Sequence, residues 1–263
     1  MLVDQRHQAI LEIARRAGRV SVEGLAAHFD VTPQTIRKDL NDLCERRLLA
    51  RVHGGAIVSS GIENVDYEAR RAIAAAEKER IGAAAAALIP DRAALFINIG
   101  TTTEAVAQAL SRHSGLMVIT NNINVASILR PLPNVEVIIA GGVVRRSDGG
   151  IVGEAAVEFI RQFRVDFAII GVSAIDTDGS LLDFDYREVQ VARAIIENAR
   201  QVILVADSTK FERSAPVRIG HLSQVGTFIT DRCPPTIRDV ALASNVRLIE
   251  AVAGGGEIVG PDR

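Results

Sequence analysis

Apolar residues recur at helical spacing three times within residues 1–47. QRHQAILEIARRAG places Ile10, Ile13, Ala14 and Ala17 on one side and ends at Gly18, a residue suited to a helix C-terminus. SVEGLAAHF starts on Ser21, an N-cap type, and turns Val22, Leu25 and Phe29 inward. After Asp30-Val31, TPQTIRKDLNDLCERR opens with Thr32 as N-cap and Pro33 at the first helical position. Its stripe is Ile36, Leu40 and Leu43, which leaves Gln34, Thr35, Arg37 and Lys38 facing outward. LLARVHGGAIV then reads as a short hairpin around Gly54-Gly55. Helix, helix, turn, helix and hairpin predict a winged helix-turn-helix over residues 1–57, the helix-turn-helix itself spanning 20–39. Such a unit puts the N-terminal residues of its third helix into the major groove.

Residues 58–75 lose this pattern and read as a linker running into a helix. That helix is expected from Tyr67 to Leu88, rich in Ala, Glu, Lys and Arg, with Pro90 stopping it. Beyond Asp91 the period shortens: ALFINI, LMVIT, VEVIIA, DFAIIGV, QVILVA, GTFIT and VRLIE read as strands. Helical patterns lie between most of them, around Ala105, Val125, Val157, Val191 and Ile237. Near-continuous apolar strands alternating with helices predict a mostly parallel sheet covered on both faces, an α/β domain over 76–252. The final residues, 253–263, read as a mobile tail.

Composition narrows the class. A hydrophobic share of 48% supports a sizeable core, while IGAAAAALI, the longest stretch of low polarity, is too short to span a bilayer. With charged residues at the N-terminus, a cytoplasmic chain is expected. Cys44 and Cys233 are isolated, which suggests neither a disulfide framework nor a zinc site, and no metal or cofactor is expected. Residues 1–57 hold nine Lys/Arg against seven Asp/Glu, while the chain as a whole is at −2. That excess is too mild to argue for nucleic acid alone. The pattern carries the case: Thr32, Pro33 and Thr35 fix where the third helix begins, and Arg37 and Lys38 then sit beside its turn, ahead of a wing with Arg51 and His53. Lysine and arginine there suit DNA phosphates, and Gln34, Thr35 and one arginine suit base edges. A merely solvated helix face is the plainer alternative.

In a parallel sheet, loops after the strands share one rim, where ligands collect. Gly100-Thr101-Thr102-Thr103, Thr120-Asn121-Asn122, Gly141-Gly142 with Arg145, Gly171-Val172-Ser173 and Asp207-Ser208-Thr209-Lys210 all fall there. Glycine lets backbone approach a ligand, threonine and asparagine offer hydrogen bonds, and Lys210 adds a cation. Each loop alone could be a helix cap; together they predict a site for a small anion, its phosphate on the start of the helix at Thr101. Asp183, Asp185 and Glu188 in LLDFDYREVQ are either caps, ligand contacts, or the base of an alternative reading, a sugar-phosphate isomerase with a DNA-binding appendage.

VSVEGLAAHFDVTPQTIRKDLNDL with LLARVHGGA resembles the DeoR-type repressors. The match continues through EKERI, NIGTTTEAVAQAL, TNNINVA, IIAGG, RRSDGGIVGEA, DGSLLDFDYREV and STKF. The resemblance implies a homo-oligomeric repressor of double-stranded operator DNA. Its sensor would be similar to sugar-phosphate isomerase and CoA-transferase folds, retained for binding and not for turnover. The effector implied is a small phosphorylated polyol or sugar, foremost glycerol 3-phosphate, on Gly100 to Thr103 with Asn121, Gly141 and Lys210 near. The chain departs from the pattern at Gly24, mid-helix where the family usually has an acid, at about 1 kcal/mol, and at Arg47, where a glycine is common.

Overall fold

The computed structural model describes residues 3–17, 19–45, 48–52, 54–58, 67–252 and 255–259. The chain divides into two units, Met1–Asp66 and Tyr67–Arg263. The first holds helices α1 (Val3–Ala17), α2 (Val22–Phe29) and α3 (Pro33–Glu45), with strands β1 (Arg19–Ser21), β2 (Leu49–Val52) and β3 (Gly55–Val58). The predicted caps form: Gly24 N donates to Ser21 Oγ at 3.0 Å, and Thr35 N to Thr32 Oγ1 at 3.2 Å. Each satisfies an amide that the first turn leaves open. Asp30 ends α2 in the left-handed region, with φ 51°. Ile10, Leu11, Ala14, Leu25, Ile36, Leu40 and Leu43 make the core. The wing is an antiparallel sheet in the order β1-β3-β2. At Gly55 a side chain is impossible, since a Cβ would lie 2.0 Å from the Val20 carbonyl oxygen.

The second unit begins with α4 (Tyr67–Ala72) and α5 (Ala75–Ala86). This corrects two expectations: residues 67–75 are not linker, and the helix is not continuous to Leu88. Ala74 takes φ 53°, and the buried Lys78 ammonium bonds the carbonyls of Arg70 and of Ile73, the latter at 2.6 Å. Carbonyls that a continuous helix would have used internally are satisfied by a lysine instead. Residues 59–66 of the expected linker lie outside the described residues.

There follow β4 (Ala94–Ile97), α6 (Thr101–Ala109), β5 (Leu116–Thr120), α7 (Ile123–Leu129), β6 (Val135–Ile139), β7 (Val143–Val144), β8 (Ile151–Val152), α8 (Glu154–Ile160) and β9 (Val165–Ile170). The chain continues through β10 (Ala174–Ile175), β11 (Ser180–Asp183), α9 (Tyr186–Glu197), β12 (Ala199–Val205), β13 (Val217–His221), β14 (Thr227–Thr230), α10 (Pro235–Ala243), β15 (Arg247–Val252) and β16 (Gly255–Val259). The seven predicted strands are β4, β5, β6, β9, β12, β14 and β15. They pair in parallel within a sheet ordered β16-β15-β14-β12-β9-β4-β5-β6. Successive residues of each strand face opposite cores, as the pleat requires. Leu95, Ile97, Val118 and Ile203 meet α5, α6 and α7, while Phe96, Ile119, Leu204 and Phe228 lie in the core with α8, α9 and α10.

The expected tail is corrected as well: Gly255–Val259 returns antiparallel along β15, where an open edge offers it a ladder of backbone partners. Among the described residues no helix is long and apolar enough to cross a membrane.

Candidate functional site

Two surfaces carry chemistry. In the first unit, Gln34, Arg37 and Lys38 are exposed on α3, while Thr35 is half-buried with its hydroxyl 2.9 Å from that of Thr32. The exposed side has donors and positive charge, as a groove-reading helix needs. The opposite side is held by an ion pair that the sequence reading missed. Arg6 of α1 donates from Nε and Nη2 to Asp39 at 2.6 and 3.0 Å, and His7 Nε2 lies 3.1 Å from the same carboxylate. Burial alone would raise Asp39, but Arg6 and His7 hold its carboxylate below its ordinary value. Arg51 lies in β2, and His53 lies outside the described residues.

In the second unit the carboxyl ends of β12, β9, β4 and β5 are consecutive, so their loops share one rim. Gly100 precedes α6, and the first turn of that helix leaves amides of Thr101, Thr102 and Thr103 without helical partners. The three threonines differ. Thr103 is fully buried and its hydroxyl donates to the carbonyls of Asn98 and Gly100, both at 2.7 Å. It closes the turn, which leaves Thr101, half-buried, and Thr102 for a ligand. Asn121 Nδ2 donates to the Ile151 carbonyl at 3.1 Å. Asn98 Oδ1, Asn121 Oδ1 and Asp207 Oδ2 are buried with no hydrogen-bond partner among the described residues. Native structures rarely leave such groups idle, and ligands are one reason they do. Asn98 is a candidate that the sequence reading did not single out.

Positive charge gathers at the same rim. Lys210 is buried, and burial pushes it down to about 8, with Arg213, Lys78 and Arg70 pressing the same way and Asp207 opposing. Burial also lowers Lys78. Lys78 and Arg70 lie outside the predicted set. A charge on an apolar stripe marks Lys78, which shares the spacing of Ile81 and Ala85. Gly171 follows β9, and Gly141 and Gly142 follow β6, with open space where a side chain at Gly141 would lie.

Arg145 has a different role from the one its loop suggests. Its guanidinium bonds Asp148 at 2.8 and 2.7 Å, Glu188 at 2.6 Å and Asp185 at 3.3 Å. Burial works against its charge, yet Asp148 and Glu188 hold it above its ordinary value. With three carboxylates around it, Arg145 is a strut of the rim. Burial raises Asp183; burial and then Asp183 itself push Glu188 up to about 8, against the pull of Arg145. Asp185 also caps α9, accepting from Arg187 N at 2.9 Å. One further carboxylate, Glu104 in the first turn of α6, accepts from Tyr67 Oη at 2.7 Å, Asn124 Nδ2 at 3.0 Å and Asn122 Nδ2 at 3.1 Å.

Comparison with known proteins agrees with the division of labour. The DeoR-like helix-turn-helix domain matches residues 6–61, and the DeoR C terminal sensor domain matches residues 73–232. The glycerol-3-phosphate regulon repressor of Escherichia coli (strain K12) is 52% identical over 231 residues, covering 88% of this chain and 92% of that protein. The repressor of the same name from Haemophilus influenzae is 51% identical over 244 residues, 93% of this chain and 95% of that one. Among solved structures, ribose 5-phosphate isomerase from Plasmodium falciparum aligns with a TM-score of 0.38 and 13% identity, over 51% of this chain and 52% of that one. A likeness so slight carries no argument about function.

Proposed function

The chain belongs to the DeoR family of helix-turn-helix transcriptional repressors, and from that premise we propose that its second unit senses glycerol 3-phosphate and thereby loosens operator binding. The observation that carries this reading is the rim itself. Buried cations, open amides of α6 and three unpartnered buried oxygens meet along four adjacent strand ends. Phosphate suits the amides at Thr101 and Thr102 together with Lys210. Polyol hydroxyls are donors, and the idle oxygens of Asn98, Asn121 and Asp207 are acceptors for them. Relatives named for the glycerol 3-phosphate regulon support the choice of effector.

The protein is a repressor and not an enzyme. Of the two carboxylates that carry the isomerase alternative, Glu188 and Asp183, Glu188 is engaged by Arg145. In its effector-free form a symmetric oligomer holds two α3 helices on a two-fold operator, with Arg37 and Lys38 on phosphates and Gln34 at base edges. Glycerol 3-phosphate acts by preferring an arrangement in which those helices are misplaced. A coupling free energy of about 1–3 kcal/mol would weaken operator binding about 5- to 150-fold.

An operator gel shift with phosphorylated three- to six-carbon compounds tests the reading. Release by glycerol 3-phosphate at lower concentration than by the others, and its loss in Lys210→Ala with bare operator binding kept, is the expected result. Release that survives Lys210→Ala unchanged would remove the rim from consideration.

A further inference from the structure

The element that first meets the second unit in chain order is α4, and none of its side chains is buried. It is tethered to the rim by polar contacts. Tyr67 Oη donates to Glu104 at 2.7 Å and accepts from Asn124 Nδ2 at 3.0 Å; Arg70 Nη2 donates to Asp148 Oδ2 at 3.1 Å. Lys78 of α5 holds the carbonyls of Arg70 and Ile73. Polar tethers of this kind exchange partners more readily than an apolar face leaves a core, so α4 belongs to the low-stability end of the fold.

Arg70 is only half committed. Its Nε is buried and has no hydrogen-bond partner among the described residues. The carboxylate it meets, Asp148, is already bonded twice by Arg145, at 2.8 and 2.7 Å, and also accepts from Gly150 N at 3.2 Å. Asp148 therefore stays satisfied if Arg70 leaves, whereas an idle guanidinium donor gains a full partner from a phosphate oxygen. The charge of Arg70 is felt at both Lys78 and Lys210, which places it in the same positive region. Tyr67, three residues before it, is bonded to the first turn of the helix assigned to the phosphate.

We propose that α4 is a strap linking effector occupancy to the DNA-binding unit, with Arg70 exchanging Asp148 for the effector's phosphate. The proposal rests on the rim being the effector site. When phosphate arrives beside Thr101 and Thr102, Arg70 turns to it and the tethers of α4 rearrange. Residue 67 is where the chain passes into the second unit, so any shift of α4 displaces the attachment of everything N-terminal to it.

The test uses the full-length protein, glycerol 3-phosphate and operator DNA. Calorimetry reads effector binding, fluorescence anisotropy reads operator release, and amide hydrogen exchange reads residues 67–72 with and without effector. Arg70→Ala is expected to weaken glycerol 3-phosphate by about tenfold or more, the loss of a charge-assisted bond. Because the same change cuts the Asp148 tether, bare operator affinity should fall as well, by less than saturating effector causes in the wild type. Arg70→Lys, which keeps the charge and loses the fork, should fall between the two, and it stands in if the alanine variant does not fold. In the wild type, effector should change exchange in α4; in Arg70→Ala at saturating effector that change should vanish.

The strap is overturned if Lys210→Ala loses effector binding while Arg70→Ala binds and releases as the wild type does. It is equally overturned if exchange in α4 ignores the effector. A wild type that does not bind glycerol 3-phosphate, or a Lys210→Ala that binds it undiminished, refutes the rim reading itself and the strap with it.

Discussion

If Lys210 meets the effector's phosphate as proposed, effector binding has a pH dependence whose sign follows from the surroundings of the lysine. Burial brings its ammonium from an ordinary 10.5 down to about 8, with Arg213, Lys78 and Arg70 adding to the fall and Asp207 resisting it. A bound phosphate dianion supplies the missing counter-charge and returns the group toward its ordinary value. Binding then prefers the protonated lysine, and affinity must drop as pH rises through about 8. If the bound form stays protonated, the free protein is mostly protonated at pH 7 and only about one-tenth so at pH 9, a loss of about tenfold. Full restoration to 10.5 caps the effect at about 3 kcal/mol, of order 300-fold, reached only at still higher pH. Below about pH 6 the phosphate itself takes a proton and affinity falls again, so the profile is a bell.

Calorimetric titration of glycerol 3-phosphate at pH 7, 8 and 9 measures the slope. Repeating the pH 8 titration in two buffers of different ionisation enthalpy measures the proton, with uptake of about half a proton expected. Lys210→Met, which keeps length and loses charge, should bind weakly and with a flatter profile, the remainder coming from Lys78. A wild type whose affinity moves less than about twofold between pH 7 and 9 would refute the assignment of Lys210 to the phosphate, as would a Lys210→Met variant with the full slope.

Other consequences are open to measurement. Asp39→Ala strips Arg6 of its buried partner and should destabilise the first unit by about 3–5 kcal/mol, read as an early urea transition by circular dichroism; a change below about 1 kcal/mol would mean the pair is not buried in solution. Gly55→Ala drives a methyl into the Val20 carbonyl, so operator binding should be lost while calorimetry finds effector binding intact. Arg37→Ala and Lys38→Ala should each lower the slope of log affinity against log salt by about 0.9 if each meets one phosphate, and unaltered slopes would take α3 off the backbone.

What the sequence disclosed, and what it hid, divides along physical lines. Buried parallel strands read as aliphatic runs because both faces are covered, and all seven such runs entered the sheet. Caps at Ser21, Thr32 and Asp185 were visible because they are local chemistry. β16 was not, since a glycine-rich segment becomes a strand only when β15 offers it an edge. Nor was the break between α4 and α5, which depends on where Lys78 sends its ammonium. Loop position grouped Arg145 with the ligand contacts, but its neighbour Asp148 and two carboxylates from the distant start of α9, Asp185 and Glu188, claim it. One signal could have been used. Asp39 shares the spacing of Ile36, Leu40 and Leu43, and Arg6 and His7 share that of Ile10, Leu11 and Ala14. A charge on an apolar stripe is a buried partner waiting to be named.

The clamp of Arg6 and His7 on Asp39 also bears on how such a repressor can change its target. Mounting and the proposed reading occupy opposite sides of one helix: Asp39, Ile36, Leu40 and Leu43 are fixed inward, while Gln34, Arg37 and Lys38 are exposed. Substitutions on the reading side therefore alter preference for an operator with little cost to the fold. Diverging copies of the gene can explore new binding sites through a few outward codons, while the clamp behind them keeps each intermediate a folded protein.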